Sequence, residues 1–251
     1  MHRADQIETG VLVDQSYWDR SYAAMEPMIA GPEDRVRQWL EQHVHAPQGE
    51  QHCLEVGCFP GRYLGLIGGL GYVVHGIDLT PSIIRLKPAF ERAGIRTGEF
   101  VEGDFLAFSP KREYDIVCSF GFIEHFTNWQ DVLLAHARAV KKGGSLVIET
   151  PNFRGGVQRF LHRWLDAENY RRHHIEAMDP RAWARLLEEH GFEISYAGWF
   201  GAFEFWHDTS SHGPLHRVGF RVLRALTPWL KNFKEGGAAL SPYCGLVARK
   251  Q

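Results

Sequence analysis

The sequence has few cysteines, no long hydrophobic run and almost no net charge. Its four cysteines form no CxxC pair, which argues against a metal or disulfide framework, so we expect reduced thiols that pack in the core. No apolar run reaches the roughly 20 residues that a membrane-spanning helix needs. The first residues, MHRADQIETG, also lack the apolar core of a signal peptide. We therefore expect a cytoplasmic protein.

The charge balance argues against one large class of partners. The chain has 28 basic and 30 acidic residues, so it lacks the positive field that draws proteins onto nucleic acid. With 44% hydrophobic and 23% charged residues in a length of 251, the composition is typical of a globular protein with one large core. We expect a single domain, 1–251, that binds a small molecule. The sequence leaves its oligomeric state open.

Strand-like and helix-like segments alternate in the middle of the chain. Continuous apolar runs are typical of strands that are buried on both faces of a parallel sheet. The alternation therefore predicts an α/β fold with a doubly wound sheet. Strands are expected at 52–58, 72–79, 99–105, 114–120, 144–150, 192–199 and 243–249, and helices at 13–25, 33–45, 62–70, 81–93, 129–140 and 180–190.

Acidic residues and glycines follow the first two strands. In a parallel sheet, ligands bind where the strands end at their carboxyl edge. The first strand ends in Glu55, Gly57 and Gly61, and the second ends in Asp78, 23 positions after Glu55. An acidic side chain at that place is suited to accept hydrogen bonds from both hydroxyls of a ribose.

The third strand ends in Asp104 and Phe105. A carboxylate there is a suitable acceptor for an exocyclic amine, and an aromatic ring fits the face of a purine. The loop after the first strand, however, has the glycine spacing GxxxG, whereas a dinucleotide-binding loop needs GxGxxG. This spacing disfavours the alternative of a nicotinamide-dependent oxidoreductase.

Five motifs, in this order, resemble those of class I S-adenosylmethionine-dependent methyltransferases, similar to the ubiquinone-biosynthesis and small-molecule O-methyltransferases. They are LEVGCFPG (54–61), GIDLT (76–80), GDF (103–105), YDIVCSFGFIEHF (114–126) and KKGGSLVIETPN (141–152). The resemblance implies a Rossmann-like, seven-stranded sheet whose last strand is antiparallel. It also implies that the cofactor S-adenosyl-L-methionine lies over the first loop and that the methyl group goes to a small-molecule acceptor.

The resemblance divides the single domain into parts. Loops as long as the two irregular segments near the C-terminus are uncommon unless they are lids or binding elements, so we expect helical lids there. The expected parts are an N-terminal helical cap at 1–50, a cofactor-binding half at 51–152, and substrate-lid insertions at 153–177 and 201–241.

The resemblance also implies a set of cofactor-binding residues. Glu55 and Gly57 border the methionine part, and Asp78 binds the ribose. Tyr17 comes from QSYWDRSY (15–22), which resembles the helix that closes over the cofactor; an aromatic ring packed on the core is the alternative for it. The other members follow the first four strands, with Asp104 and Phe105 at the adenine, Ser119 or Phe120 at the sulfonium, and Cys58, Gly61 and Leu79 beside them.

The first loop departs from the usual E-x-G-x-G-x-G of the family at Phe59, where the family has a glycine. A phenylalanine tolerates a positive φ poorly. Pro60 has a fixed φ that suits the first turn of the following helix. We expect a stiffer loop in which Phe59 turns away from the cofactor or caps it.

Transfer of a methyl group from a sulfonium requires positioning, exclusion of water and removal of a proton from a hydroxyl acceptor. His125 is the expected catalytic base because an imidazole titrates near neutral pH. The alternative is that His125 only orients its loop. We expect Glu124 to face a backbone amide or its neighbour rather than the substrate. A hydroxyl is the expected acceptor; an amine, or a binding module without turnover, is the alternative.

The segment 153–178 leaves the sheet after the fifth strand and is expected to cover the substrate. Tyr170, His173 and His174 are its substrate-binding candidates. Adjacent histidines on a helix point in different directions, so both cannot face one site. A solvated basic helix is the alternative.

Two groups of residues have the ligand types of a metal site. One is His173 with Glu176, and the other is His207, Asp208 and His212. Because these residue types are common, we expect no metal.

An amphipathic run occupies 216–234. Val218, Val222, Leu226 and Leu230 recur at four-residue spacing, and Arg217, Arg221 and Arg224 lie on another face. Pro228 is expected to break or kink this helix. The pattern predicts either a lid helix packed on its own protein or peripheral contact with a membrane surface.

Overall fold

A mixed sheet of seven strands organises the part of the chain that the computed structural model describes, residues 10–207, 213–233 and 237–251. The strand order is β3-β2-β1-β4-β5-β7-β6, and β7 runs antiparallel to both of its neighbours. The strands are β1 His52–Val56, β2 Val73–Asp78, β3 Thr97–Glu102, β4 Tyr114–Phe120, β5 Val140–Pro151, β6 Phe192–Phe200 and β7 Tyr243–Lys250. The predicted doubly wound sheet with an antiparallel last strand is therefore confirmed.

The helices and 3₁₀ turns connect these strands. Two helices precede the sheet, as the sequence predicts. The helices are α1 Gln15–Tyr22, α2 Arg35–His43, α3 Leu64–Gly69, α4 Leu86–Arg92, α5 Trp129–Ala139, α6 Gly156–Leu165, α7 Ala167–Arg171, α8 Pro180–Glu188 and α9 Pro214–Leu230, and the 3₁₀ turns are Pro81–Arg85, Phe105–Ala107, Ile123–His125 and Ile175–Ala177.

The sheet is buried on both faces. Successive residues of a strand point to opposite faces, and in β4 Val117 belongs to one hydrophobic cluster whereas Ile116 and Cys118 belong to another. The cluster around Val117 includes Val132 and Leu133 of α5. All four cysteines are free and buried, as predicted from their spacing.

The order of the strands fixes the position of a crevice. From β1 the sheet continues through β2 and β3 on one side and through β4 and β5 on the other, with parallel pairing throughout these five strands. Ligands of doubly wound sheets bind outside the carboxyl ends of the strands at such a reversal. The loops after β1 and β4 meet there.

The loop between β1 and α3 keeps glycine where the backbone needs it. Gly57 and Gly61 have φ angles of 68° and 88°, and no described residue other than glycine has a positive φ. Phe59 therefore replaces a glycine at a position that does not demand one. The expectation for Pro60 is wrong, because α3 begins only at Leu64.

The segment between β6 and β7 contains one long helix, α9. Pro228 does not break it: α9 continues to Leu230, because a proline in the last turn removes a single intrahelical hydrogen bond. Helix α9 packs on α6 through a third hydrophobic cluster that contains Leu161, Leu165, Phe203 and Leu223. Among the described residues, no helix is both long and apolar enough to cross a bilayer.

Candidate functional site

The carboxyl ends of the strands open into a cavity of about 1080 Å³. A volume of this size is at the upper end of that of small-molecule sites. The predicted cofactor residues that line it are Glu55, Gly57, Cys58, Gly61, Asp78, Leu79, Asp104, Phe105 and Phe120. The structure therefore brings the ends of the first four strands together around one space.

Asp78 joins the end of β2 to the loop after β1. One carboxylate oxygen accepts the Phe59 N–H at 2.9 Å, and the other accepts the Thr80 N–H at 3.0 Å. Burial raises the pKa of Asp78, and these backbone donors oppose the rise. Since each carboxylate oxygen has two lone pairs, Asp78 keeps acceptor capacity for a ligand in the cavity.

Glu55 is almost fully buried at the end of β1, and its Oε2 has no hydrogen-bond partner among the described residues. Burial raises the pKa of Glu55 well above its usual value, while the Leu64 N–H at the start of α3 acts in the opposite direction. A cationic ligand group beside Glu55 would favour its ionised form. The orphaned oxygen therefore fits a ligand that carries a positive charge or a hydrogen-bond donor.

Phe59 lies in the cavity wall and connects the loop to the N-terminal helix. Its ring meets the Tyr22 ring edge-on with 5.2 Å between the centroids, and the Arg85 guanidinium lies 5.0 Å over it. The side chain is buried. Packing against α1 therefore holds Phe59 in place without glycine-like backbone freedom.

Asp104 and Phe105 form the predicted adenine side. Asp104 caps the following 3₁₀ turn by accepting the Leu106 N–H at 2.9 Å. The Phe105 ring packs at 4.6 Å from His136, whose Nδ1–H donates to the Val132 carbonyl. Burial lowers the pKa of His136 to about 4, so this neighbour is neutral at physiological pH.

Helix α1 presents a different face from the predicted one. Gln15, Trp18 and Tyr22 line the cavity, whereas Tyr17 lies under the Arg172 guanidinium, 4.4 Å from its ring centroid. The spacing i, i+3, i+7 marks one helical face. It would have selected Trp18 and Tyr22 from QSYWDRSY.

The fourth strand contributes through Phe120. Its ring lines the cavity and packs at 4.6 Å from the Tyr63 ring. Ser119 points away from this space: it is fully buried, and its hydroxyl has no partner among the described residues. Adjacent residues of a strand face opposite sides, so Phe120 is the member of the pair that the structure brings to the cavity.

His125 lines the cavity just beyond β4. Its Nδ1 is 3.0 Å from the Arg172 carbonyl oxygen. A carbonyl only accepts, so Nδ1 carries the hydrogen and Nε2 is an acceptor. Burial lowers the pKa of His125 to about 4, which keeps the ring neutral at physiological pH. The ring meets Trp18 edge-on at 5.1 Å.

Tyr170, His173 and His174 are outside the residues that line the cavity. The His173 ring lies behind the catalytic candidate, 4.7 Å from the His125 ring, and its Nδ1–H donates to the Asn169 carbonyl. Tyr170 stacks at 6.5 Å on Phe153. His174 donates its backbone N–H to the Glu124 carbonyl at 2.6 Å. The 153–177 segment therefore supports His125 from behind.

Glu124 is fully buried beside these histidines. Neither carboxylate oxygen has a hydrogen-bond partner on another described residue, and Glu124 is not among the residues that line the cavity. Its own backbone N–H acts to lower its pKa. That Glu124 faces a backbone amide or its neighbour rather than the substrate stays a prediction. Burial raises the pKa of Glu124 to about 8. Within the described chain, ligand atoms of Glu124, His125 and His173 lie within 4.8 Å of one another.

The two sets of possible metal ligands suggested by the sequence differ from this group. Glu176 lies 3.8 Å from the Arg154 guanidinium, an ion pair outside the Glu124, His125 and His173 group. Asp208 and His212 lie outside the residues that the structure describes.

A second part of the cavity lies toward β5 and β7. Glu149 ends β5, nearly buried, and burial raises its pKa well above its usual value. Arg62 forms an ion pair with Asp34, which also accepts a hydrogen bond from the Tyr63 hydroxyl at 3.3 Å. Other lining residues of this part are Pro151, Glu204, Trp206 and Tyr243.

The sequence reasoning missed this second part. Glu149 follows the same strand-end rule as Asp78 and was available in the motif VIETPN. Glu204 and Trp206, by contrast, come from an irregular segment after β6. No periodic signal marks such residues.

Comparisons with known proteins agree with this architecture. Residues 21–197, well over half of the chain, match the family described as methyltransferase domain. A ubiquinone biosynthesis O-methyltransferase from Thiobacillus denitrificans is 29% identical over 138 residues, which cover 54% of this chain and 58% of that protein. One from Burkholderia multivorans is 29% identical over 116 residues, 45% of this chain and 49% of that protein. The chain thus spans about half the length of these curated relatives.

Solved structures match over more of the length. A SAM-dependent methyltransferase from Archaeoglobus fulgidus has a TM-score of 0.55 at 20% identity, over 86% of this chain and 93% of that one. The N-methyltransferase NodS from Bradyrhizobium japonicum, in complex with S-adenosyl-L-homocysteine, has a TM-score of 0.54 at 14% identity, over 98% and 97%. The chain therefore belongs to the methyltransferase domain family, with the fold of the class I S-adenosylmethionine-dependent enzymes.

Proposed function

We propose that this protein binds S-adenosylmethionine in the cavity and transfers its methyl group to a hydroxyl of a small molecule. The observation that carries the proposal is the single cavity of about 1080 Å³ lined by the predicted cofactor residues, by His125 and by a separate acidic and aromatic wall. Such a space has room for a nucleoside cofactor and a second, small ligand.

The residues of the cofactor side fit the proposed ligand. Asp78 has acceptor capacity for the ribose hydroxyls, and the unpartnered Oε2 of Glu55 suits an ammonium group. Asp104 and Phe105 supply an acceptor and an aromatic face for adenine. When bound, the sulfonium supplies an electrophilic methyl group, and the chain's own contribution is to bind, orient and exclude water.

His125 is the proposed base. The Arg172 carbonyl fixes its tautomer so that Nε2 is the acceptor, and burial keeps that nitrogen unprotonated at physiological pH. Its place in the cavity wall allows Nε2 to accept the proton of an acceptor hydroxyl. His173 acts as a positioning residue through its contact with the His125 ring.

One observation favours an amine acceptor as the second candidate. Glu149 and Glu204 line the part of the cavity toward β5 and β7, where the cation Arg62 is already paired with Asp34. Carboxylates bind a protonated amine more readily than a neutral hydroxyl compound. Methylation with deuterated cofactor, followed by mass spectrometry and NMR of the product, distinguishes an O-methyl from an N-methyl group.

Isothermal calorimetry tests the shared requirement for cofactor binding. We expect heat from both S-adenosylmethionine and its demethylated product; no heat from either would reject both the enzyme and the non-catalytic binding module. The enzyme further requires labelled product when deuterated cofactor is incubated with the small-molecule fraction of a cell extract. Binding without any labelled product across such fractions would favour the binding module.

Asp78 gives the residue-level test of the cofactor site. We expect Asp78→Ala to weaken S-adenosylmethionine binding at least about ten-fold, because a charged hydrogen bond contributes about 1.5–3 kcal/mol. Asp78→Asn should lose less, since its amide oxygen still accepts the Phe59 N–H. Asp131→Asn, an exposed residue of α5, is the matched control. Unchanged affinity in Asp78→Ala would remove Asp78 from the ribose role.

A further inference from the structure

Helices α6 and α9 carry a continuous exposed apolar surface, from which we infer a docking site for an anionic lipid bilayer. Five apolar side chains of α9, together with Phe233 just after it, are between 44% and 77% exposed to solvent. We call this surface the α6–α9 face; its members are Phe160, Trp164, Leu215, Val218, Val222, Leu226, Trp229 and Phe233.

The α9 members form one stripe. Leu215, Val218, Val222, Leu226 and Trp229 follow each other at intervals of three and four residues, which places them on one side of a helix. Other positions of α9 pack on the protein: Gly219 and Leu223 are buried. At 1.5 Å per residue, the stripe from 215 to 229 is about 21 Å long.

Helix α6 extends this stripe sideways. The two helices approach closely at Gly219, where an added Cβ would lie 2.8 Å from Leu165 and 3.1 Å from Trp164. Trp164 and Phe160 remain 47% and 63% exposed beside that contact. The apolar surface is therefore shared by two packed helices.

The charged side chains of α6 and α9 have one sign. Neither helix contains an aspartate or a glutamate. Their exposed arginines are Arg159 and Arg163 on α6 and Arg217, Arg221 and Arg224 on α9, and Lys231 follows α9 directly.

The positive charge of the α6–α9 face favours an anionic partner. An amphipathic helix with apolar and basic residues lies in the interface of an anionic bilayer, where each basic residue adds electrostatic attraction. A second copy of the chain, docked face to face, would bring two sets of arginines together, and like charges oppose association. The surface therefore fits an anionic lipid surface better than itself.

Vesicle co-sedimentation of the full chain tests the inference. We expect binding to vesicles of phosphatidylcholine mixed with phosphatidylglycerol, at least about ten-fold weaker binding to phosphatidylcholine alone, and a decrease with added salt. No binding to mixed vesicles, or equal binding to both kinds, would overturn it.

Two pairs of variants locate the contact. Val222→Glu should reduce vesicle binding at least about ten-fold, whereas Ile84→Glu, at a residue that is 76% exposed elsewhere, should not. The triple variant R217Q/R221Q/R224Q should also bind less than R92Q/R138Q/R185Q, which removes the same charge from other exposed positions. Equal loss within either pair would overturn the assignment of the face.

Light scattering in the absence of lipid tests the remaining alternative, which is that a second copy of the chain docks on this face. A dimer that Val222→Glu dissociates, together with no vesicle binding, would replace the bilayer by a second copy. Calorimetry with S-adenosylmethionine on each variant reports whether the cavity is intact, so failure of this inference is distinguishable from failure of the proposed function.

Discussion

His125 is held by a backbone carbonyl rather than by a charged partner. Burial is the larger effect and lowers the pKa of His125 to about 4, although the hydrogen bond to the Arg172 carbonyl acts in the opposite direction. The residue therefore offers a weak base that is unprotonated over the whole physiological range.

The pH dependence of the rate follows from this environment. We expect the rate on a hydroxyl acceptor to stay level as the pH falls through 6.5 and to decline only near pH 4, where His125 gains a proton. His125→Gln should lower the rate by about 10²–10⁴ with unchanged cofactor affinity. Single-turnover rates of the wild type and the variant, measured over a range of pH, give both the pH dependence and the loss of rate. An acid limb near pH 6.5, or an unchanged rate in the variant, would contradict the role as base.

Glu124 makes the stability of the folded protein depend on pH. Its folded pKa of about 8 lies above the usual 4.5, so the folded state holds a proton that the unfolded state releases between these values. Stability from this group is complete below pH 4.5 and is lost as the pH rises through 8.

Replacement of Glu124 by glutamine removes that titration. The free energy of unfolding of Glu124→Gln, relative to wild type, should increase by up to about 1.4 kcal/mol per pH unit between pH 4.5 and 8. Urea unfolding at several pH values measures it. Glu188→Gln, an exposed residue at the end of α8, is the control and should show no such trend.

At the scale of elements, the loop between β1 and α3 depends on Gly57. Its φ is 68°, and an added Cβ would lie 2.6 Å from the Phe122 ring. Gly94 has a similar φ of 76° but open space around it. The two glycines therefore separate the cost of backbone strain from the cost of a clash.

We expect Gly94→Ala to lower the free energy of unfolding by about 1–2 kcal/mol through strain alone. Gly57→Ala should lose more, by about another 1 kcal/mol or above, because the Phe122 ring must also shift. Urea unfolding of both variants gives the comparison. Equal losses would mean that the cavity wall accommodates the added methyl group.

Elements were predictable where the backbone alone decides the position. Asp78 and Phe105 could be found because Asp78 ends β2 and Phe105 follows β3, and parallel strands end at the same edge of a sheet. Tyr17 was chosen in place of Trp18 because the rotation of a short helix depends on what it packs against. The expectation for Pro60 failed because α3 begins at Leu64, so Pro60 lies before its first turn.

At the scale of the whole molecule, all four thiols are free and buried. Burial raises the pKa of Cys58, Cys118 and Cys244 well above the usual value, so the reactive thiolate is disfavoured. Whole-molecule stability should therefore be insensitive to reductant.

We expect a thiol reagent to label the native protein slowly and to reach four groups per chain only after denaturation. The melting temperature should be the same with and without reductant. Rapid labelling of the native protein would show that the cavity exposes Cys58, which lines it.

The fold of the whole chain was predictable from five motifs and their order, but the surfaces were not. Whether Val222 packs or remains exposed depends on which side of α9 meets Leu165, and an amphipathic pattern with two apolar sides does not decide this. Glu204 lies in a segment without periodicity, so only the folded chain brings it to the cavity.

The turn at Arg172 has a consequence for protein engineering. Its carbonyl fixes His125 while its guanidinium covers Tyr17, so grafting a different 153–177 segment would disturb the proposed base and the N-terminal helix together. Glu149 and Tyr243 lie outside the 153–177 segment and line the same cavity from β5 and β7. We expect a library directed at these two positions to change acceptor preference while the proposed base, His125, keeps its orientation.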